Sequence, residues 1–139
     1  MAVQSQSVCG GLTERVQAAV VHMTASSNSP PIDVVIYCDA SAERTLASDL
    51  PNNNVGITPR TWAAGSPEIV KFLAELDASG DVSQFSVTIY GCAKSASFGT
   101  VTTITALGKT SGDVQCLRYF PSPAEDALRR DCDLLTEKP

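Results

Sequence analysis

The sequence predicts an α+β domain built on a single, mostly antiparallel sheet. Three observations carry that expectation. Three strand-like runs follow one another between Gln84 and Phe120: Phe85 to Tyr90, Thr100 to Leu107, and Val114 to Phe120, separated by glycine-containing loops. This block reads as a three-strand meander over 84–120. It is flanked by two helical patterns that each open with Ser-Pro, at Ser66-Pro67 and Ser122-Pro123. Upstream, Val34-Val35-Ile36-Tyr37 is a continuous run rich in β-branched residues, as a strand near the middle of a sheet would be.

In chain order, residues 1 to 11 read as a flexible lead-in closed by Gly10 and Gly11, and residues 12 to 137 as one globular domain. A first helix is expected over about 13–24, because Leu12, Val16, Ala19, Val20 and Met23 recur at helical spacing. Ser26 to Pro31 breaks it. A strand follows over Ile32 to Cys38. Ser41 to Leu50 fits either a short helix with Glu43 and Arg44 exposed, or a loop leading to an edge strand. Pro51-Asn52-Asn53-Asn54 is a turn signal. Val55 to Thr58 is a candidate short strand, and Trp62 lies in a loop after it.

The second helix, 67–78, has the fullest set of local signals. Ser66 is its expected cap, Pro67 presets the first helical φ, Glu68 complements the dipole, and Gly80 supplies a positive-φ stop. Its buried stripe is Ile69, Phe72, Leu73 and Leu76. The third helix, 123–136, buries Ala124, Leu128, Cys132 and Leu135. Asp131 sits at the edge of that stripe, so it should be exposed or paired with a basic group, Arg118 being one candidate. Gly108 to Asp113 reads as a long hairpin tip.

The resulting order, α-β-β-α-β-β-β-α, resembles that of profilin-like and roadblock-like folds in element order alone; no motif of either family is present. The alternative assembly is a three-layer α/β fold with a mixed sheet.

Composition excludes several function classes. With 139 residues, 43% apolar and 18% charged, the chain can build a core without staples. A net charge of −5 and only ten basic residues argue against nucleic acid as a partner. No apolar run is long enough to span a bilayer, so no membrane insertion is expected. The first thirty residues lack the basic start and apolar centre of a signal peptide, so a cytoplasmic location is expected. Cysteines stand at 9, 38, 92, 116 and 132, an odd number without C-x-x-C spacing. Free, buried thiols in a reducing compartment are the expectation.

No catalytic set stands out. His22 is the only histidine, so a Ser-His or Cys-His mechanism would need it; the preferred reading is a histidine at the border of a helix stripe. Cys38, Asp39 and Ser41 follow the central strand, where ligands favour α/β sheets. An adjacent carboxylate raises a thiol's pKa, however, so Cys38 reads as a buried cysteine and Asp39 as a cap. The loop Gly91 to Gly99 carries Lys94 and Ser95 but joins two strands, and Gly108-Lys109-Thr110 lacks the upstream glycine of a phosphate loop, Thr103 standing there. One histidine with scattered cysteines makes no metal set, and no cofactor is implied. Arg60 and Trp62 are the residue types found at binding hot spots, although Trp62 packed on the core is the preferred reading.

The expected function is that of a small protein-interaction or scaffold domain acting by homo- or hetero-oligomerisation. The alternatives are a small enzyme or small-molecule binder with its site at Cys38, Asp39 and the 91–99 loop, and a subunit of a larger assembly.

Overall fold

The computed structural model describes residues 8–24, 31–46, 59–80, 82–84, 101–112, 114 and 123–136. Its strands are β1 (Gln17–Met23), β2 (Ile32–Tyr37), β3 (Ala42–Leu46), β4 (Arg60–Trp62), β5 (Thr102–Ala106) and β6 (Lys109–Thr110). Its helices are α1 (Pro67–Ser79) and α2 (Pro123–Thr136). The strands form one sheet in the order β4-β3-β2-β1-β5-β6, and each neighbouring pair is antiparallel. The fold is α+β on a single antiparallel sheet, as the sequence predicts. The mixed sheet of the three-layer alternative is not found among the described strands.

The largest departure from expectation is at the N-terminal end. The helix expected over 13–24 is the strand β1, seated between β2 and β5. Its helical stripe is not a buried face: Leu12 and Val16 are 48% and 44% exposed. What is buried alternates instead, through Ala19, Val21 and Met23. Val20 and Val21 are β-branched, and ladders on both sides satisfy the backbone, so tertiary pairing outweighs a helical spacing of small residues. The element order of the profilin-like and roadblock-like folds is therefore not reproduced.

β2 is central, as expected, but its continuous apolar run does not mean two covered faces. Ile32, Val34 and Ile36 are buried, while Asp33, Val35 and Tyr37 are only half-buried. The region from Ser41 contains β3 and no helix among its described residues, and Arg44 is buried rather than exposed. Trp62 belongs to β4, not to a loop. Pro51 to Thr58 lie outside the described residues.

The expected meander is rewired. Its middle run is β5, but β5 takes β1 as one neighbour along its whole length. On the other side it turns tightly into β6, with Ala106 opposite Lys109. The expected long tip is thus a two-residue turn at Leu107-Gly108, where both residues have positive φ. The chain then runs on beside β5, where the Val114 N–H donates to the Thr102 carbonyl at 2.8 Å. Residues 85–90 and 115–120, the outer runs of the meander, lie outside the described residues.

Both helices cover one face of the sheet. Ile69, Phe72 and Leu76 of α1 and Leu128, Cys132 and Leu135 of α2 join Val21, Ile32, Val34, Ile36 and Ile104 in one buried cluster. Each fully buried aliphatic or Phe side chain contributes about 1.5–3 kcal/mol. Pro67 opens α1 and Gly80 ends it at φ 82°, as expected. Ser66, however, makes no side-chain cap: its hydroxyl donates back to the Ala63 carbonyl at 2.7 Å. The Ser66 carbonyl meanwhile accepts from the Ile69 and Val70 N–H groups.

Asp131 is 4% exposed and its Oδ1 lies 2.9 Å from Lys71 Nζ, which also reaches Glu75 at 2.7 Å. The paired basic group is thus Lys71; Arg118 lies outside the described residues. Burial pushes the Asp131 carboxyl above its ordinary value, and the Glu75 charge adds to that push against the pull of Lys71. Its Oδ2 is buried without a hydrogen-bond partner.

Two consequences are measurable. Leu107 holds φ 53° while 48% exposed, so its conformation is strained and its side chain gains little from burial. Leu107→Asn creates the Asn-Gly pair favoured in a type I′ turn and should stabilise the domain by about 0.5–1 kcal/mol, raising Tm by about 2–3 °C. Asp131 binds a proton more tightly folded than unfolded. Its contribution is fully present below the ordinary value of 3.8 and is lost as pH rises through the raised folded value. Asp131→Asn should therefore melt higher than the parent chain at pH 7, with the difference shrinking towards pH 4 in thermal melts followed by circular dichroism.

Candidate functional site

Among the described residues no helix covers the second face of the sheet, and the strand registers define what stands on it. One row runs Thr45–Asp33–His22–Thr103 across β3, β2, β1 and β5. The next runs Thr61–Glu43–Val35–Val20–Thr105–Thr110 from β4 to β6. Val20 and Val35 are half-buried at the middle, and the outer threonines are exposed. Thr105 and Thr110 join hydroxyls at 3.0 Å.

Titratable side chains on this face come as pairs. His22 Nδ1 lies 2.5 Å from Asp33 Oδ1 across the β1–β2 ladder, with 44% and 37% of the two side chains exposed. At the other end, the Arg15 guanidinium stacks 4.3 Å above the Tyr37 ring and pairs with Glu43 at 3.0 Å. The Tyr37 hydroxyl donates to Glu43 at 3.4 Å, and Arg15 Nη1 donates to Ser41 Oγ at 3.3 Å. Ser41 donates its hydroxyl and its N–H to Asp39 Oδ1, at 2.5 and 2.9 Å. The Ser41 hydroxyl holds the Asp39 carboxyl below the ordinary carboxylate value. Asp39 thereby closes the β2–β3 turn, in which Ala40 adopts φ 63°. Asp39 is the cap that the sequence reading prefers.

A disulfide lies beside this cluster. Cys9 and Cys38 are bonded, with Cα atoms 5.7 Å apart. This corrects the expectation of free thiols at these two positions. Cys132 is free and buried, and burial drives its thiol far above the usual range. Cys92 and Cys116 lie outside the described residues. The bond ties residues 8–11, read from sequence as part of a loose lead-in, to the end of β2.

Among the described residues, hydrogen bonds near both ends also hold residues 8–16, beside the Arg15 contacts. The Val8 N–H donates to Asp77 Oδ1 at 2.8 Å, and the Val16 carbonyl accepts from the Cys38 N–H at 2.8 Å. Such bonds contribute about 1 kcal/mol each, while ordering the backbone costs roughly 1–2 kcal/mol per residue. The cross-link, at a sequence separation of 29, closes a loop that contains β1 and β2 and stabilises the folded chain by about 3–4 kcal/mol in the chain-entropy description.

The sequence-derived candidates do not assemble into one site. Cys38 is bonded and offers no thiolate. Asp39 is next to it, but His22 is opposite Asp33, five residues back along β2 and so roughly 16 Å away. Ser41 is buried, and residues 91–99 lie outside the described residues. Arg60 and Trp62 stand on the opposite, helix-covered face. Trp62 is buried and donates its indole N–H to Glu68 at 2.8 Å, with Arg60 stacked 4.4 Å from its ring and 3.5 Å from Glu68. Trp62 is thus packed on the core, the preferred reading, and Arg60 remains exposed. Among the described residues no group of three metal-binding side chains is assembled, and no helix is long and apolar enough to cross a membrane.

The residues that do come together, Arg15, Tyr37, Glu43 and the His22–Asp33 pair, escape a reading that makes 13–24 a helix. The available signal is that His22 and Asp33 are single polar residues within short, β-branched apolar runs. No protein-family model, curated protein or solved structure matches this chain.

Proposed function

We propose that the chain is a small protein-binding domain that associates through its open sheet face, with a second copy of itself as the partner its charges fit best. The observation that carries this reading is the make-up of that face. Val20 and Val35 form an apolar middle, exposed threonines surround it, and two polar pairs flank it, the Arg15–Glu43 ion pair and the His22–Asp33 contact. A two-fold axis through the valines lets the basic groups of one copy approach the acidic groups of the other. The described part of the face carries no lysine, one of the residue types depleted from interfaces, and β-branched threonine has little χ1 freedom to lose on burial.

Contact through the face is favoured over sheet extension. The outermost described strands, β4 and β6, are three and two residues long, and short edges are poor templates for a further strand. The enzyme reading loses its nucleophile to the disulfide.

Light scattering of the purified chain at micromolar concentration tests the reading. The parent should sediment and scatter as a dimer. Val35→Lys should dissociate it at least tenfold more readily while leaving the circular dichroism spectrum unchanged, because the new ammonium reaches water from a half-buried site on the open face. A parent chain that stays monomeric throughout rejects self-association.

A further inference from the structure

We propose that the Cys9–Cys38 bond is a redox-operated clamp: closed, it holds residues 8–16 with Arg15 over Tyr37 and Glu43; opened by a dithiol reductant, it releases them. The proposal stands on three observations. The bond joins a poorly buried segment to a well-buried strand end, because residues 10 to 17 are all exposed whereas Cys38 is 8% exposed. Among the described residues, the segment is also tied by hydrogen bonds from Val8 and to Val16 near its two ends, by the partly buried Val8, and by the contacts of the half-exposed Arg15 side chain. The ladder hydrogen bonds of the sheet are made by residues outside the segment, since β1 begins at Gln17 and pairs with β2 and β5 from there on.

Access is asymmetric. Cys9 is half-buried, so an incoming thiolate reaches its sulfur more readily than that of Cys38. Attack there forms a mixed disulfide with Cys9 and expels Cys38 as the thiolate, which takes a proton. The second thiol of the reductant then displaces Cys9 as a thiolate, which is protonated in turn. Two electrons pass from the dithiol to the protein, two cysteine thiols form, and the reductant leaves as a disulfide.

The effect on association rests on the reading given under Proposed function, since the segment borders the same face. The clamp is testable without it. Limited trypsin digestion of the full chain, with and without dithiothreitol, reads the Arg15–Val16 bond by mass spectrometry. Reduction should speed that cleavage at least tenfold, while the bond after Arg44, a side chain buried within the sheet at 2% exposure, stays resistant. Cys9→Ser should be cut at Arg15 at the fast rate with or without reductant. Equal cleavage at Arg15 in both redox states overturns the proposal. So does simultaneous cleavage after Arg44, which would make the bond a prop for the whole fold. Finding Cys9 and Cys38 alkylated in the unreduced, denatured chain overturns it too. Light scattering on the same samples separates the two ideas: a redox-dependent cut at Arg15 in a chain that never dimerises leaves the clamp standing and removes self-association.

Discussion

The structure depends on where β1 sits. A strand between β2 and β5 has partners for its backbone groups on both sides, and that double ladder fixes which side chains reach the core. Val21 faces Val34 on one side and Ile104 on the other, and all three are fully buried. A one-residue slip would carry Val20 and His22 under the helices and leave Val21 in solvent. The irregularity between Gln17 and Ala19 lets the chain change course just before the ladder begins. Arg15 then comes to lie over Tyr37 instead of continuing the strand.

The helices that cover this core bring electrostatic problems of their own, and neighbouring elements answer them. α2 has no basic residue in its last turn, although carbonyls there are left without intrahelical partners. Arg44 of β3 reaches that end and donates to the Leu135 carbonyl at 3.2 Å. Burial and the nearby Arg60 charge lower the Arg44 pKa, which remains a cation at any ordinary pH. A buried arginine at a helix C-terminus thus ties β3 to α2 across the core. Between the helices, Lys71 serves two carboxylates, one of them nearly inaccessible. Here desolvation wins over attraction for Asp131, so the contact specifies how α1 meets α2 more than it stabilises it.

Legibility in the sequence follows how local each determinant is. α1 was readable almost residue by residue, because Pro67, Glu68 and Gly80 act within one turn of where they stand. Even there the role of Ser66 was misassigned, since its hydroxyl turns back to Ala63. α2 was readable from its stripe, including the need of Asp131 for a cation, but that cation lies 60 residues away on α1. β1 was unreadable from spacing because Leu12, Val16 and Val20 mimic a helix stripe, and only the long-range ladders decide against it. The same holds for the open face: Arg15, Tyr37 and Glu43 are adjacent only once β1, β2 and β3 are paired. The disulfide was discounted from an odd count of cysteines, a signal that says nothing about which two approach each other.

The two faces of the sheet differ in what their side chains do for stability, and the disulfide sits beside the charged end of the open one. Beneath the helices the side chains are aliphatic, aromatic or tightly paired, so substitution there is read as loss of fold. On the open face, the two charge pairs are shared with solvent, and screening limits what each contributes to stability. The Tyr37 ring supports Arg15 while its hydroxyl reaches Glu43, so the aromatic surface available to a partner depends on where Arg15 stands. Arg15, in turn, belongs to the stretch that Cys9 pins to the end of β2. A change of two electrons at one sulfur pair therefore alters the shape and charge of the open face without disturbing the ladders that create it.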